Sequence, residues 1–590
     1  MHGFRLVIGC LCCMFLASFA RADAPPDPLR LLPHDADFCI KIEQPRKLVE
    51  AFVHNDLVQD LQGIDAIREL IDSTNYHRFY QLIAYFEKEL GCDRYELLDR
   101  LAGGGILLGS KFGSMPLPVV VVIQGKDEQL LQRFKKLALE VLEQELARQE
   151  AKVRIEKKMI QNVETIHIGN EFHAAVVGSA ILFSNNEKAL QQTIERSRKP
   201  AGKSLAQSSQ VVAAKRLVEP EPLAWAWLNL ETVHNSPQGK DIFAMPRNEA
   251  ILTVLFGGWL DVARRAPFLC AGVYGREHGA LLSVRMPAGR EGMPPELATH
   301  IPAAGQPGSR PLLEPKGVLY SASYYLDISK FWDGRAKLFN DKQKKTFEDF
   351  DAKTGPFLAG SKFSKLLTEA GPYQRIVVAH QAKHPYKKVP GQYSPATAIV
   401  LEMREPADLS KRLESILRAA GLLVSTQVKL KLVEEKYAGH TIIAYRFPED
   451  GKFPVDVNDV RFNFVPCFVT VGKQFVACSD LELCHELIDL LEKEDKDKRE
   501  QGSAATACTR IYAEGATELM DGFKDRLFTQ TILDQAIPPE KANRQVQTFV
   551  DWVRRLGVLQ LESNYGPHDF RYDISLRTAP KKKAEATPGP

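Results

Sequence analysis

Residues 121–134, VVIQGKDEQLLQRF, and residues 400–413, VLEMREPADLSKRL, carry one pattern twice. Each reads as an apolar strand, a polar turn and a helix. Leu130 and Phe134 of the first stretch stand where Leu409 and Leu413 stand in the second. A spacing of four places each pair on one helix face, whereas the preceding residues form a short apolar run closed by turn formers. Another short strand comes before each block, ILLGSKF from Ile106 and IVVAHQA from Ile376, each after a glycine-containing turn.

The correspondence extends outward. GSAILFSNNEKAL (178–190) lies over GKQFVACSDLELC (472–484) at a larger offset. An insertion in the second copy, RFPEDGKFPVDVNDV (446–460), accounts for the difference, and its Pro, Gly and Asp content predicts a surface loop. Both copies close on a strand pair around Tyr-Gly, at Tyr274-Gly275 and Tyr565-Gly566, and their opening strands, from Phe38 and from Tyr320, correspond loosely. Short turns between strands favour antiparallel pairing, with helices at intervals covering one face. The expected class is therefore α+β: a tandem duplication of a mostly antiparallel sheet covered by amphipathic helices. The first unit is expected at residues 25–290 and the second at 314–579. The Pro/Gly-rich segment 291–313, centred on PAAGQPGSRP, reads as a linker, and 580–590 as a disordered tail.

Residues 1–24 read as a signal peptide. Arg5 is followed by the apolar run LVIGCLCCMFLASFA (6–20), and Ala22 and Ala24 mark the two candidate cleavage sites. The run is short for a membrane span, which needs about 20 apolar residues. The expected location is therefore extracytoplasmic, periplasmic or extracellular, with no transmembrane segment in the mature chain. A formal charge of +3 over 590 residues gives no general reason to expect nucleic acid as a partner. Cys10, Cys12 and Cys13 lie in the signal. The remaining Cys39, Cys92, Cys270, Cys467, Cys478, Cys484 and Cys508 are too sparse for a disulfide framework and sit mainly in apolar runs, where cysteine packs as a small hydrophobe.

The opening LLPHDADFCIKIEQPRKLVEAF (from Leu31), the repeated strand–acidic turn–helix block and GSAILFSNNEKALQQTIE (from Gly178) resemble a family of large exported bacterial proteins classed as a domain of unknown function. The resemblance implies duplicated α+β units. It implies no catalytic residue.

Motifs for chemistry are near misses. Gly103-Gly104-Gly105 through Gly109-Ser110-Lys111 approaches a phosphate loop, but the spacing is off by one and a strand pair follows instead of a helix. Ser110 is misplaced for a hydrolase elbow. His485-Glu486 opens a zinc-protease pattern in which Asp489 occupies the second histidine's place. Cys478, Cys484 and His485 suggest ligands, but Ser184 and Leu190 stand at the cysteine positions of the first unit, which favours packing. His167 and His173 flank a turn and are expected to be exposed hairpin histidines. His380, His384 and His440 add no recognisable ligand set. Trp225, Trp227, Tyr320, Tyr324 and Tyr325 alternate as sheet core would. No cofactor, metal or catalytic residue is expected. The favoured expectation is a non-enzymatic binding or scaffold protein with a protein or cell-envelope partner. The alternatives are a hydrolase-type enzyme with a dispersed site and a carrier of an apolar ligand.

Overall fold

The computed structural model describes residues 26–148, 154–198, 203–244, 249–303, 305–358, 360–381, 383, 385–450, 456, 458–496 and 502–580. Ala22, Ala24 and His384 lie outside the described residues. The chain divides into two compact units. One comprises the described residues up to Leu48 together with Phe79–Val211, and the other comprises Val49–Arg78 and Val212 onward.

The first unit contains β1 (Phe38–Ile42), β2 (Gly105–Ser110), β3 (Val119–Gln124), β4 (Ile155–Ile160), β5 (Val163–Ile168), β6 (Phe172–Val177) and β7 (Ala180–Ser184). They form an antiparallel sheet ordered β1-β2-β3-β7-β6-β5-β4. The β4–β5 turn is two residues, Gln161 and Asn162, both with positive φ, the backbone that matches strand twist in a tight hairpin. Ile181 packs in a core with Leu130 and Leu131 of the helix Glu128–Arg148 and with Phe86, Leu90, Leu97 and Leu101. Asp127 accepts a hydrogen bond from Leu130 N and starts that helix.

The second unit holds β8 (Ala224–Asn229), β9 (Phe268–Arg276), β10 (Gly279–Met286), β11 (Val318–Tyr325), β12 (Ala370–Ala379), β13 (Ala396–Met403), β14 (Lys431–Tyr437), β15 (His440–Arg446), β16 (Cys467–Val471), β17 (Gln474–Cys478), β18 (Ala507–Tyr512), β19 (Val558–Tyr565) and β20 (Phe570–Arg577). Its antiparallel sheet is ordered β8-β9-β10-β20-β19-β18-β11-β12-β13-β17-β16-β15-β14. Within it, β11-β12-β13-β17-β16-β15-β14 has the same order as the sheet of the first unit. A two-residue turn with positive φ, Ala438-Gly439, again joins the outermost pair. Strands β10 and β20 pair over their whole length, and Arg285 reaches across the pair to Asp573 at 2.6 Å.

The class is α+β, with large antiparallel sheets and many helices. Helices cover both faces of the second sheet, where one face was expected. The helix Leu481–Lys496 packs Leu483, Leu487, Ile488 and Leu491 with Val400, Val469 and Val476. The helix Pro406–Val428 lies with Met403, Ile443, Tyr445, Phe468 and Phe475 on the opposite face. The cause is visible in CFVTV and QFVAC, which are apolar at successive positions and so cannot leave one face to water. The Pro/Gly-rich stretch 291–313 is packed: Leu297, Ile301 and Leu313 are buried. The insertion 446–460 runs into a short turn, Val460–Asn463, whose Arg461, Phe462 and Asn463 are also buried.

Candidate functional site

The glycine run 103–105 makes a turn into the β2–β3 hairpin, and Gly104 N donates to Gln124 O at 2.8 Å. Ser110 is buried and donates to Pro118 O. Trp225 and Trp227 are buried in the sheet core, as is Tyr325, with Tyr320 and Tyr324 half-buried. His440 contacts Thr470 O and Glu492. His485 lies against Glu435 at 2.9 Å and stacks on Tyr437, whose hydroxyl donates to Asp489. The zinc-protease fragment is therefore a helix surface tied to strand β14.

The first unit corrects one expectation. His167 and His173 are 2% and 4% exposed, not surface residues. They stand opposite each other on β5 and β6, both inside the sheet, with their Nδ1 atoms 2.7 Å apart. Thr165 Oγ1 lies 2.8 Å from His167 Nε2, and His173 Nε2 lies 3.2 Å from Asn170 O. Thr165 Oγ1 donates to Lys158 O at 3.0 Å, so His167 Nε2 donates to Thr165, and the Nδ1 of a neutral His167 accepts from His173. Burial, His173 and Lys158 hold His167 below its ordinary 6.5, against weaker pulls from Glu187 and Glu156. The unfolded state therefore binds a proton that the folded state resists. The histidine's contribution to stability is present above about pH 6.5 and lost as the pH falls toward the lowered value. Urea denaturation at pH 7.5 and pH 5 is expected to show a loss of stability on acidification that shrinks in His167→Gln. An equal loss in the variant would remove the pair from the account.

The second unit contains a cleft of about 290 Å³. Lys316, His380, Lys383, Asp480, Glu482, Glu486 and Glu518 bring their polar groups to it from four separate segments. Gly317, at φ +62°, turns the chain into β11 beneath Glu518, whose Oε2 lies only 2.9 Å from where a Cβ would stand. Gly317 O accepts His380 N at 2.7 Å and so ties the β11 entry to the end of β12. Asp480 starts the helix Leu481–Lys496 by accepting from Glu482 N and Leu483 N, at 3.0 and 3.1 Å. Glu482 and Glu486 follow one turn apart on the same face. Glu482 pairs with Lys383 at 2.9 Å, and Glu486 accepts Lys316 N at 2.9 Å. Burial pushes the Asp480 carboxyl up, with the helix N–H groups pulling the other way.

Behind this wall lie Cys467, Cys478 and Cys484. Their sulfurs are all within 4.8 Å of one another, and all three residues are buried. Cys467 and Cys478 face each other across β16 and β17, and Cys484 occupies the first turn of the helix. Asp480 O accepts Cys484 N at 3.2 Å and lies 3.5 Å from Cys467 Sγ. Hydrogen bonds from Cys467 and Cys478 pull the Cys484 thiol down to about 4 against burial, and burial pushes the Cys478 thiol up. In the first unit the facing pair on β6 and β7 is His173 and Ser184, so that register is polar in both sheets.

Sequence reading weighed Cys478 and Cys484 together as ligands and favoured packing, and it noted His380 apart from them. It did not bring in Cys467, Lys316 or Glu518, which meet the others only through strand pairing. One local signal was legible: Asp480 before LELCHE has the form of a helix N-cap.

Residues 113–252 match a family model described as a protein of unknown function (DUF3352). Two solved structures are similar to part of the chain. Crystal form III of TP0453 is 8% identical and covers 46% of this chain and 84% of that one, with a TM-score of 0.23. Crystal form I of TP0453 is 10% identical and covers 46% and 82%, also with a TM-score of 0.23. No curated protein matches the sequence.

Proposed function

We propose that the chain is an exported, non-enzymatic binding protein built from duplicated α+β units, and that its ligand seat is the charged cleft of the second unit. The carrying observation is the state of the cleft's carboxylates. Glu482 and Glu486 are engaged by Lys383 and by Lys316 N, and Asp480 caps a helix. Groups held in this way present a fixed pattern of charge, as recognition requires. Four carboxyl groups face two lysines and His380, which favours a small polar ligand carrying positive charge. The apolar stretch 6–20 with Ala22 and Ala24 supports export. The shared strand order of β1–β7 and β11–β17 supports the duplication.

The test is a thermal melt of the purified mature chain with a small aliphatic diamine as probe. The melting temperature is expected to rise with diamine and to stay unmoved in Glu482→Gln/Glu518→Gln. Turnover of a chromogenic ester or glycoside that Asp480→Asn abolishes would overturn the reading in favour of a hydrolase. Mass measurement of the secreted chain is expected to place its first residue just after Ala22 or Ala24; a secreted chain still starting at Met1 would refute the signal peptide.

The carrier alternative draws on a different surface. In the helix Ala250–Arg265, Ile251, Leu252, Leu255, Phe256 and Trp259 are exposed along one stripe. Retention of the chain on neutral phospholipid vesicles, lost in Leu255→Ser/Phe256→Ser, would favour it.

A further inference from the structure

We infer that Cys467, Cys478 and Cys484 form a trigonal thiolate site for a soft monovalent metal ion of the Cu(I) class. Three sulfurs within 4.8 Å of one another, buried together, have the donor type and compactness that such an ion selects. They come from three elements: the start of β16, the end of β17 and the first turn of the following helix. Strand register fixes the first two, and the hydrogen bond from Cys484 N to Asp480 O fixes the third. The pocket is therefore set by backbone pairing before any ion arrives.

The coordination number argues for a monovalent ion over zinc. Structural zinc takes four ligands. Two neighbours in sequence that could offer a fourth, Asp480 and His485, are committed elsewhere. The Asp480 carboxylate accepts Glu482 N and Leu483 N, and His485 turns outward to Glu435 and Tyr437. Cu(I) is content with three thiolates. Binding is a substitution without electron transfer: Cu⁺ and three R–SH give [Cu(SR)₃]²⁻ and three protons, with one Cu–S bond formed at each sulfur. The helix N-terminus beside Cys484 supplies partial positive charge to the anionic product.

The experiment is an anaerobic titration of the reduced full chain with Cu(I) buffered by a chromophoric Cu(I) chelator. One Cu(I) per chain is expected, with a sulfur-to-copper charge-transfer band in the ultraviolet and a raised melting temperature. The same result is expected for Cys508→Ser, whose thiol lies outside the cluster and near Glu562. Cys467→Ser, Cys478→Ser and Cys484→Ser are each expected to lose the ion and the melting shift while keeping a cooperative melt of their own. If a variant fails to melt cooperatively, X-ray absorption of the copper-loaded native chain decides alone: three sulfur neighbours support the site, and nitrogen or oxygen neighbours overturn it. Equal copper uptake in the native chain and the three serine variants also overturns it. So does a native chain isolated under oxidising conditions with a Cys467–Cys478 disulfide that, once reduced, takes up no Cu(I).

Discussion

Glu494→Ala is expected to destabilise the second unit by about 3–5 kcal/mol, the cost of stripping a partner from a buried charge. Arg375 on β12 is 2% exposed. Its Nη1 donates to Glu494 Oε2 at 2.6 Å and to Pro311 O at 3.3 Å. Without the glutamate, one carbonyl remains to compensate a full guanidinium charge. The side chain of Glu494 is 20% exposed, so water can enter the space it leaves and the loss should fall toward the lower end of that range. Urea denaturation provides the measurement. The double change Arg375→Met/Glu494→Leu is expected to recover most of the loss, because apolar groups of similar volume need no charge compensation. A cost below about 1 kcal/mol for Glu494→Ala, the value of an exposed ion pair, would contradict the burial argument.

Phe462→Ala is expected to cost about 3–5 kcal/mol through the cavity it leaves. Phe462 is fully buried, its ring is 5.0 Å from Tyr386, and the Arg461 guanidinium lies over it at 4.1 Å. Tyr386 in turn donates to Phe464 O and accepts Phe447 N, so the ring holds both ends of the insertion. Gln381, at the cleft, donates to Asn463 O at 2.9 Å. The same variant is therefore expected to weaken diamine binding at the cleft. Phe462→Leu should fall between the two. A ΔΔG within about 1 kcal/mol for Phe462→Ala would mean that the neighbourhood collapses onto the space.

These two sites show where sequence reading stops. RFPEDGKFPVDVNDV carries every mark of a surface loop, and its composition says nothing of Phe462 turning inward two residues later. Arg375 in QRIVVAH looks like a strand-end charge, and only the helix 481–496 laid across the sheet makes it a buried one. The histidines behave likewise. HIGNEFH is a hairpin by its spacing, but exposure depends on whether further strands flank it, and β4 and β7 do.

What the sequence determined alone was local and periodic. Alternation, turn residues and the four-residue spacing of Leu130 with Phe134 and of Leu409 with Leu413 are short-range properties, and they suffice for an α+β class with antiparallel strands. Tertiary structure decided which distant residues meet. Cys467, eleven residues from Cys478, faces it because β16 and β17 pair in one register, and a slip of one residue would send that thiol to the opposite face. Lys316, His380, Asp480 and Glu518 share a cleft because β11, β12 and two helices converge there. Burial of both sheet faces follows the same rule: it is a property of what packs on a strand, which the strand's own residues permit but do not specify.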